Sequence, residues 1–282
     1  KDLVFVSASA LASNALYNYD VRGFAGDDTI DIRANLIQDS TINGNIGNDT
    51  IYAGFSGVSV EVDETIIVGS IIGEDGFIVA SSVESVTETV VAGAITNLDG
   101  SYILGGKDND EMFGFGLNDG EINGNIGDDT LSINNRGVVA GFNMYVGGGQ
   151  GNDLIDVAGD YTNSIIDGNK GIDTINIFEG NHSNSSVNGG EDNDIIRSAS
   201  ASTKGLVING DLGNDTLVSI GDLASTVTGG EGNDTIVAFA KAGENSTIDA
   251  GVGADTIVTA DPTQIFFSQA KTNSDGFCMA YM

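Results

Sequence analysis

The stretch GGEGNDTIV, Gly229–Val237, sets two glycines, a third glycine, an Asn-Asp pair and then alternating apolar residues in a fixed order. GDLGNDTLV precedes it in the chain, beginning at Gly210, and AGVGADTIV follows it, beginning at Ala250. Aligning on the aspartate gives Asp28, Asp49, Asp110, Asp129, Asp153, Asp173, Asp194, Asp215, Asp234 and Asp255. From Asp110 onward the aspartate recurs about every 20 residues, which marks a repeat architecture. The interval from Asp49 to Asp110 amounts to about three periods, so it reads as further coils. Within it, ETII at Glu64 and ETVV at Glu88 stand where the aspartate is expected, as degenerate rungs of the same ladder.

Each unit divides alike. A short alternating run follows the aspartate, such as TINIF (Thr174–Phe178) or TIVAF (Thr235–Phe239). Alternation over such a run predicts a half-buried strand with Ile175 and Ile177 on one face. A polar turn comes next (EGNHSNS, AKAGENS), then a second short strand (STIDA, STVTG), then the glycine turn again. Two strands in about 20 residues are not stable alone. Stacked on its neighbours, each unit pairs in parallel and buries a shared core. The expected fold is all-β: a parallel, right-handed β-solenoid (a β-roll or β-helix) of about 12 coils of about 20 residues. Ile42, Ile51, Ile122, Leu131, Ile166, Ile175, Ile208, Leu217, Ile236, Ile248 and Ile257 are the expected inward positions. One domain covers 1–282, with first and last coils or caps at 1–22 and 261–282, an array at 23–260 and degenerate coils near 54–100. LVFVSASALASNAL (Leu3–Leu16) has a faint signal-peptide character, but LVFV after Asp2 matches the strand that follows each aspartate and reads better as a first coil.

Composition narrows the function. The 282 residues carry a formal charge of −31 with only ten Lys and Arg, 41 glycines, one proline and one cysteine. A hydrophobic content of 40% excludes a disordered acidic tail. Nucleic acid and anionic membranes are poor partners for a chain without basic patches, and no apolar run is long enough to span a bilayer. The lone Cys278 excludes an internal disulfide framework. So much like charge on a compact body calls for counter-ions among the carboxylates.

The glycine turn offers a place for them. Glycine adopts backbone angles that let a tight turn aim several carbonyls at one spot. Calcium takes six to eight oxygens and mixes carbonyls with carboxylates. The expected ligands are the ten aspartates above, with Asp27, Asp128, Asp108 and Asp192 beside them. Backbone carbonyls are expected from Gly23, Gly44, Gly47, Gly124, Gly127, Gly148, Gly151, Gly168, Gly171, Gly189, Gly210, Gly213, Gly229, Gly232, Gly251 and Gly253. A metal-free alternative exists, because Asn, Asp and Gly suit tight turns for structural reasons alone. It leaves unexplained why Asp, never Asn, holds one position in all ten turns.

GGEGNDTIV, GGGQGNDLI (Gly147–Ile155) and GNIGDDTL (Gly124–Leu131) resemble the calcium-binding nonapeptide repeats of RTX, or haemolysin-type, exoproteins. The resemblance implies a parallel β-roll that folds on binding calcium after secretion. It is imperfect, since family rolls carry two such turns per coil and this chain carries one. A single row of ions along one edge is therefore expected, with a Ser- and Asn-rich, metal-free edge opposite. In GGKDND (Gly105–Asp110) and GGEDND (Gly189–Asp194), Asp108 and Asp192 replace the third glycine.

Other motifs point elsewhere only weakly. His182 lies in a polar turn and is expected to be solvated; one histidine cannot form a zinc-protease motif, and no nucleophile elbow or P-loop occurs. No enzyme activity is expected. Tyr52, Phe55, Phe113, Phe115, Phe142 and Tyr145 form a loose aromatic cluster that would suit a sugar platform. The expectation is a secreted, extracellular or cell-surface structural protein, such as an S-layer, filament or adhesin subunit. Its expected partners are further copies of itself, head to tail, or cell-surface polysaccharide. The alternatives are an accessory region of a secreted enzyme and a polysaccharide-active β-helix.

Overall fold

The computed structural model describes residues 3–7, 15–34, 36–53, 67–71, 78–83, 97–135, 141–200, 202–221, 225–240, 246–259, 265–267 and 278–281. The chain is a parallel β-solenoid built from three sheets of twelve, eleven and eight strands. Strands that follow the aspartates stack in the first sheet: Thr174 lies beside Leu154 and Ile195, and Ile175 beside Ile155 and Ile196. Strands that enter the glycine turn stack in the second, with Ile166 between Val146 and Val187. All eleven expected inward residues lie in the core, none of them more than 1% exposed. The β-branched Ile and Val suit these strands, because their stiff side chains pack well on a pleated surface.

The third sheet corrects the expectation of two strands per coil. The polar turn contains a strand of its own, for example Ala15–Tyr17, Leu36–Gln38, Asn97–Asp99, Tyr161–Thr162 and Asn181–Ser183. Their inward positions form the buried column Leu16, Ile37, Leu98, Leu117, Gly141, Tyr161 and His182. The coil is thus three-walled, and among the described residues eight turns carry the third wall, where about twelve coils were expected. A left-handed residue and a buried serine make the corner between the third and second sheets. Asn163 and Asn184 have φ of 53° and 50°, and the Ser164 amide donates to Ser185 Oγ at 3.1 Å.

The long interval is a second correction. Thr50–Ala53 pairs directly with Glu111–Phe115, Thr41–Ile46 with Tyr102–Lys107, and Leu36–Gln38 with Asn97–Asp99. No rung lies between them, so the whole interval from Asp49 to Asp110 is one coil carrying an excursion at the corner between the first and third sheets. Part of it is an antiparallel hairpin, Ile67–Ile71 with Ile78–Val83, which belongs to none of the three walls. Glu64 and Glu88 lie outside the described residues. The same corner takes up the smaller changes in period. Phe115 and Leu117 are separated there by Gly116 alone, whereas Asn135 and Gly141 are separated by the longer RGVVA run.

The aromatic cluster is dispersed by the winding. Phe113 belongs to the first sheet, Phe142 to the third and Tyr145 to the second. Phe113 stacks on Tyr52 of the preceding coil at 4.9 Å between ring centroids. Tyr145 lies over Gly147, whose missing side chain leaves room for the ring. Phe55 lies outside the described residues.

Candidate metal centre

Among the described residues, the chain passes from the second sheet to the first through the glycine corner. Its six positions run, for one coil, Gly168-Asn169-Lys170-Gly171-Ile172-Asp173. The second and fourth positions are left-handed: Asn169 and Gly171 have φ of 74° and 114°. Asn, Asp and Gly tolerate that region, which explains Asn45, Asn125 and Asp211 at the second position and Asp108 and Asp192 at the fourth. Asp108 and Asp192 are exposed there.

The ten sequence-marked aspartates, by contrast, are buried; none is more than 4% exposed. They form one continuous ladder. The amide of each donates to Oδ1 of the aspartate one coil on, from Asp28 to Asp255, at 2.7–2.9 Å. This includes the step from Asp49 to Asp110, across the excursion.

A second ladder runs beside it on the exposed side, with the opposite sense. The fifth-position side chain accepts the amide of the following coil: Asp27 from Asn48, Asp128 from Asn152, and Asn214 from Asn233, for example. Asp27 and Asp128 thus stand on the outside of the corner, apart from the buried column. Ile172 has no acceptor to offer, and the outer ladder is interrupted there. Sequence reasoning missed this second column, though its signal was the run of Asn before the aspartate.

Oδ2 of Asp49, Asp110, Asp129, Asp153, Asp173, Asp194, Asp215 and Asp234 is buried without a hydrogen-bond partner. Each points at the first glycine of its own corner. A Cβ on Gly168 would lie 2.3 Å from Asp173 Oδ2 and 2.4 Å from the carbonyl oxygen of Gly189, one coil on. The same two oxygens converge at Gly23, Gly44, Gly124, Gly148, Gly189 and Gly210, and at Gly105, which sequence reasoning omitted. At Gly229 the carbonyl belongs to Ala250. These glycines are required for space, because none has a positive φ. Gly47, Gly127, Gly151, Gly171, Gly213, Gly232 and Gly253 form the separate left-handed fourth column, and Gly251 aligns with Gly230 in the second.

Desolvation pushes the carboxyls up, to about 6 for Asp49, Asp129 and Asp215, about 7 for Asp153 and Asp173, and about 8 for Asp110 and Asp194. The amide hydrogen bond opposes the shift, and neighbouring carboxylates add to it. Carboxylates one coil apart, roughly 4.8 Å, repel by roughly 3–4 kcal/mol at an effective dielectric of about 20. The unpaired oxygen beside a carbonyl lone pair therefore demands either a proton or a cation. An all-oxygen donor set suits a hard cation. Among the described residues no three Asp, Glu, His or Cys side chains gather at one point, so backbone carbonyls would have to supply most of any coordination shell.

His182 corrects an expectation. It is fully buried rather than solvated, and its ring stacks on Tyr161 with centroids 4.0 Å apart. No protein-family model matches the chain. No curated protein matches it either.

Proposed function

We propose that the protein is a secreted, calcium-stapled structural solenoid of a cell surface or extracellular matrix, of the RTX type that its turns resemble. The observation that carries this reading is the buried file of unpartnered Asp Oδ2 atoms, one per coil, each converging with a backbone carbonyl of the next coil. Asp49 to Asp234 would hold the ions together with the first-column glycine carbonyls. A bound divalent cation supplies positive charge that neutralises the column. Binding to the folded state alone stabilises it by mass action. An extracellular setting fits, since the fold then tightens where calcium is plentiful.

A rod whose walls are parallel sheets extends wherever another coil in register is supplied, by the same chain or by a further copy. Head-to-tail assembly is thus part of the proposal, and the protein is read as non-catalytic. A sugar platform is the weaker reading, because the aromatics that suggested it face three different sides.

The test is circular dichroism and calorimetry during calcium titration of chelator-treated protein. A cooperative gain in thermal stability with calcium, reversed by chelator and poorly matched by magnesium, is expected. Equal stability in calcium and chelator would leave the column proton-filled or bare, and the proposal would fall.

A further inference from the structure

The third wall contains a feature unrelated to the glycine corner. Its inward column is aliphatic through Leu16, Ile37, Leu98 and Leu117, passes through Gly141, and then becomes Tyr161 and His182 in consecutive coils. Both rings are fully buried, nearly parallel at 19°, with centroids 4.0 Å apart. His182 Nε2 lies 3.2 Å from the Gly159 carbonyl, so the neutral ring donates from Nε2. Nδ1 and the Tyr161 hydroxyl are buried without hydrogen-bond partners. The rings sit where the chain turns from the first wall into the third. Gly159 and Gly180 take φ of 97° and 127° there, and the Asn181 amide donates to Asp160 Oδ1 at 2.7 Å.

This packing accommodates a neutral imidazole and not a charged one. The groups that face the ring are the Tyr161 phenol, the Gly159 and Glu179 carbonyls and, at longer range, the exposed Asp160 carboxylate. Thr203 is the register partner in the following coil. Asp160 is the one carboxylate that favours the charged ring, and solvent screens it. Burial outweighs these contacts and lowers the imidazole pKa to about 4. An imidazolium must therefore leave its place for water.

We propose that the Tyr161–His182 stack is an acid-sensitive catch, at which the third wall opens locally while the glycine corner stays closed. The opened segment spans Tyr161–Thr162 and Asn181–Ser183, short strands of two and three residues in the third sheet. Such local opening belongs to the low-stability end of a fold.

The sequence holds a single histidine, so the imidazole proton signal in NMR reports this site alone. In the folded wild-type protein the ring is expected to stay neutral well below its ordinary titration range. Hydrogen exchange at residues 159–163 and 179–184, expressed relative to the intrinsic rate at each pH, should speed at least tenfold on passing from pH 7 to pH 4, with no such acceleration at residues 168–173. His182→Phe keeps a stacked ring that takes no proton, and it should abolish that local acceleration. An ordinary histidine titration in the folded protein, or equal acid-induced exchange in wild type and His182→Phe, would overturn the proposal. If the variant fails to fold, the wild-type titration and exchange profile decide alone.

Discussion

The Asp153 amide donates to Oδ1 of Asp173, one coil on, at 2.7 Å, and Oδ2 of Asp173 is left unpartnered against Gly168. One carboxylate therefore has a structural oxygen and a second that awaits a cation or a proton.

Asp173→Asn separates the two oxygens. The amide carbonyl can keep the bond from Asp153, and the new NH₂ can donate towards the Gly189 carbonyl. In chelator the variant should be more stable than wild type by about 1–2 kcal/mol, since a desolvated acid has gone. In calcium the order should reverse. Thermal unfolding in the two buffers checks both signs.

The first and second positions of the corner should differ sharply. Gly148→Ala places a Cβ 2.3 Å from Asp153 Oδ2 and 2.8 Å from the Gly168 carbonyl, so it should cost about 3 kcal/mol or more. Asn169→Gly, at the second position of the following corner, falls where a φ of 74° suits glycine as well as asparagine, and it should stay within about 1 kcal/mol of wild type. Chemical denaturation of the pair measures the contrast.

Ile172→Asn should stabilise the protein by about 0.5–1.5 kcal/mol. It restores the acceptor that the outer ladder lacks at this coil and removes an apolar side chain that is 54% exposed. A higher denaturation midpoint with an unchanged slope is the expected reading.

The column also fixes a pH dependence in chelator. The folded carboxyls are raised to about 6 to 8, while the unfolded ones release their protons near the ordinary value of about 3.9. The folded state therefore binds more protons over this range. The column's contribution to stability is full below about pH 4 and is lost as pH climbs to about 8. Saturating calcium should flatten the slope. Melting curves across that range, with and without calcium, provide the check.

Much of this was legible because strict alternation after Asp173 or Asp234 leaves little choice of face for Ile175, Ile177 and Ile236. The third wall was not legible. A strand such as Asn181–Ser183 sends in one residue, His182, and one residue has no period. The long interval misled because its length is close to a whole multiple of the coil, whereas pairing of Tyr52 with Phe113 requires a single step. The glycines were recognised, but Gly168 and Gly171 are needed for different reasons: one yields volume to a carboxylate from its own corner, the other bends the backbone. Only the stacked geometry separates those demands.

The two ladders give the rod a direction. A coil just laid down has its outer amide already bound by the coil beneath, while its buried amide stays open until the next aspartate arrives. Each completed layer thus carries an unmet demand that only another layer of the same orientation can meet, and a reversed layer would bring no carboxylate to it. Assembly on such a face is vectorial, like bricklaying in which every course leaves a socket for the course above.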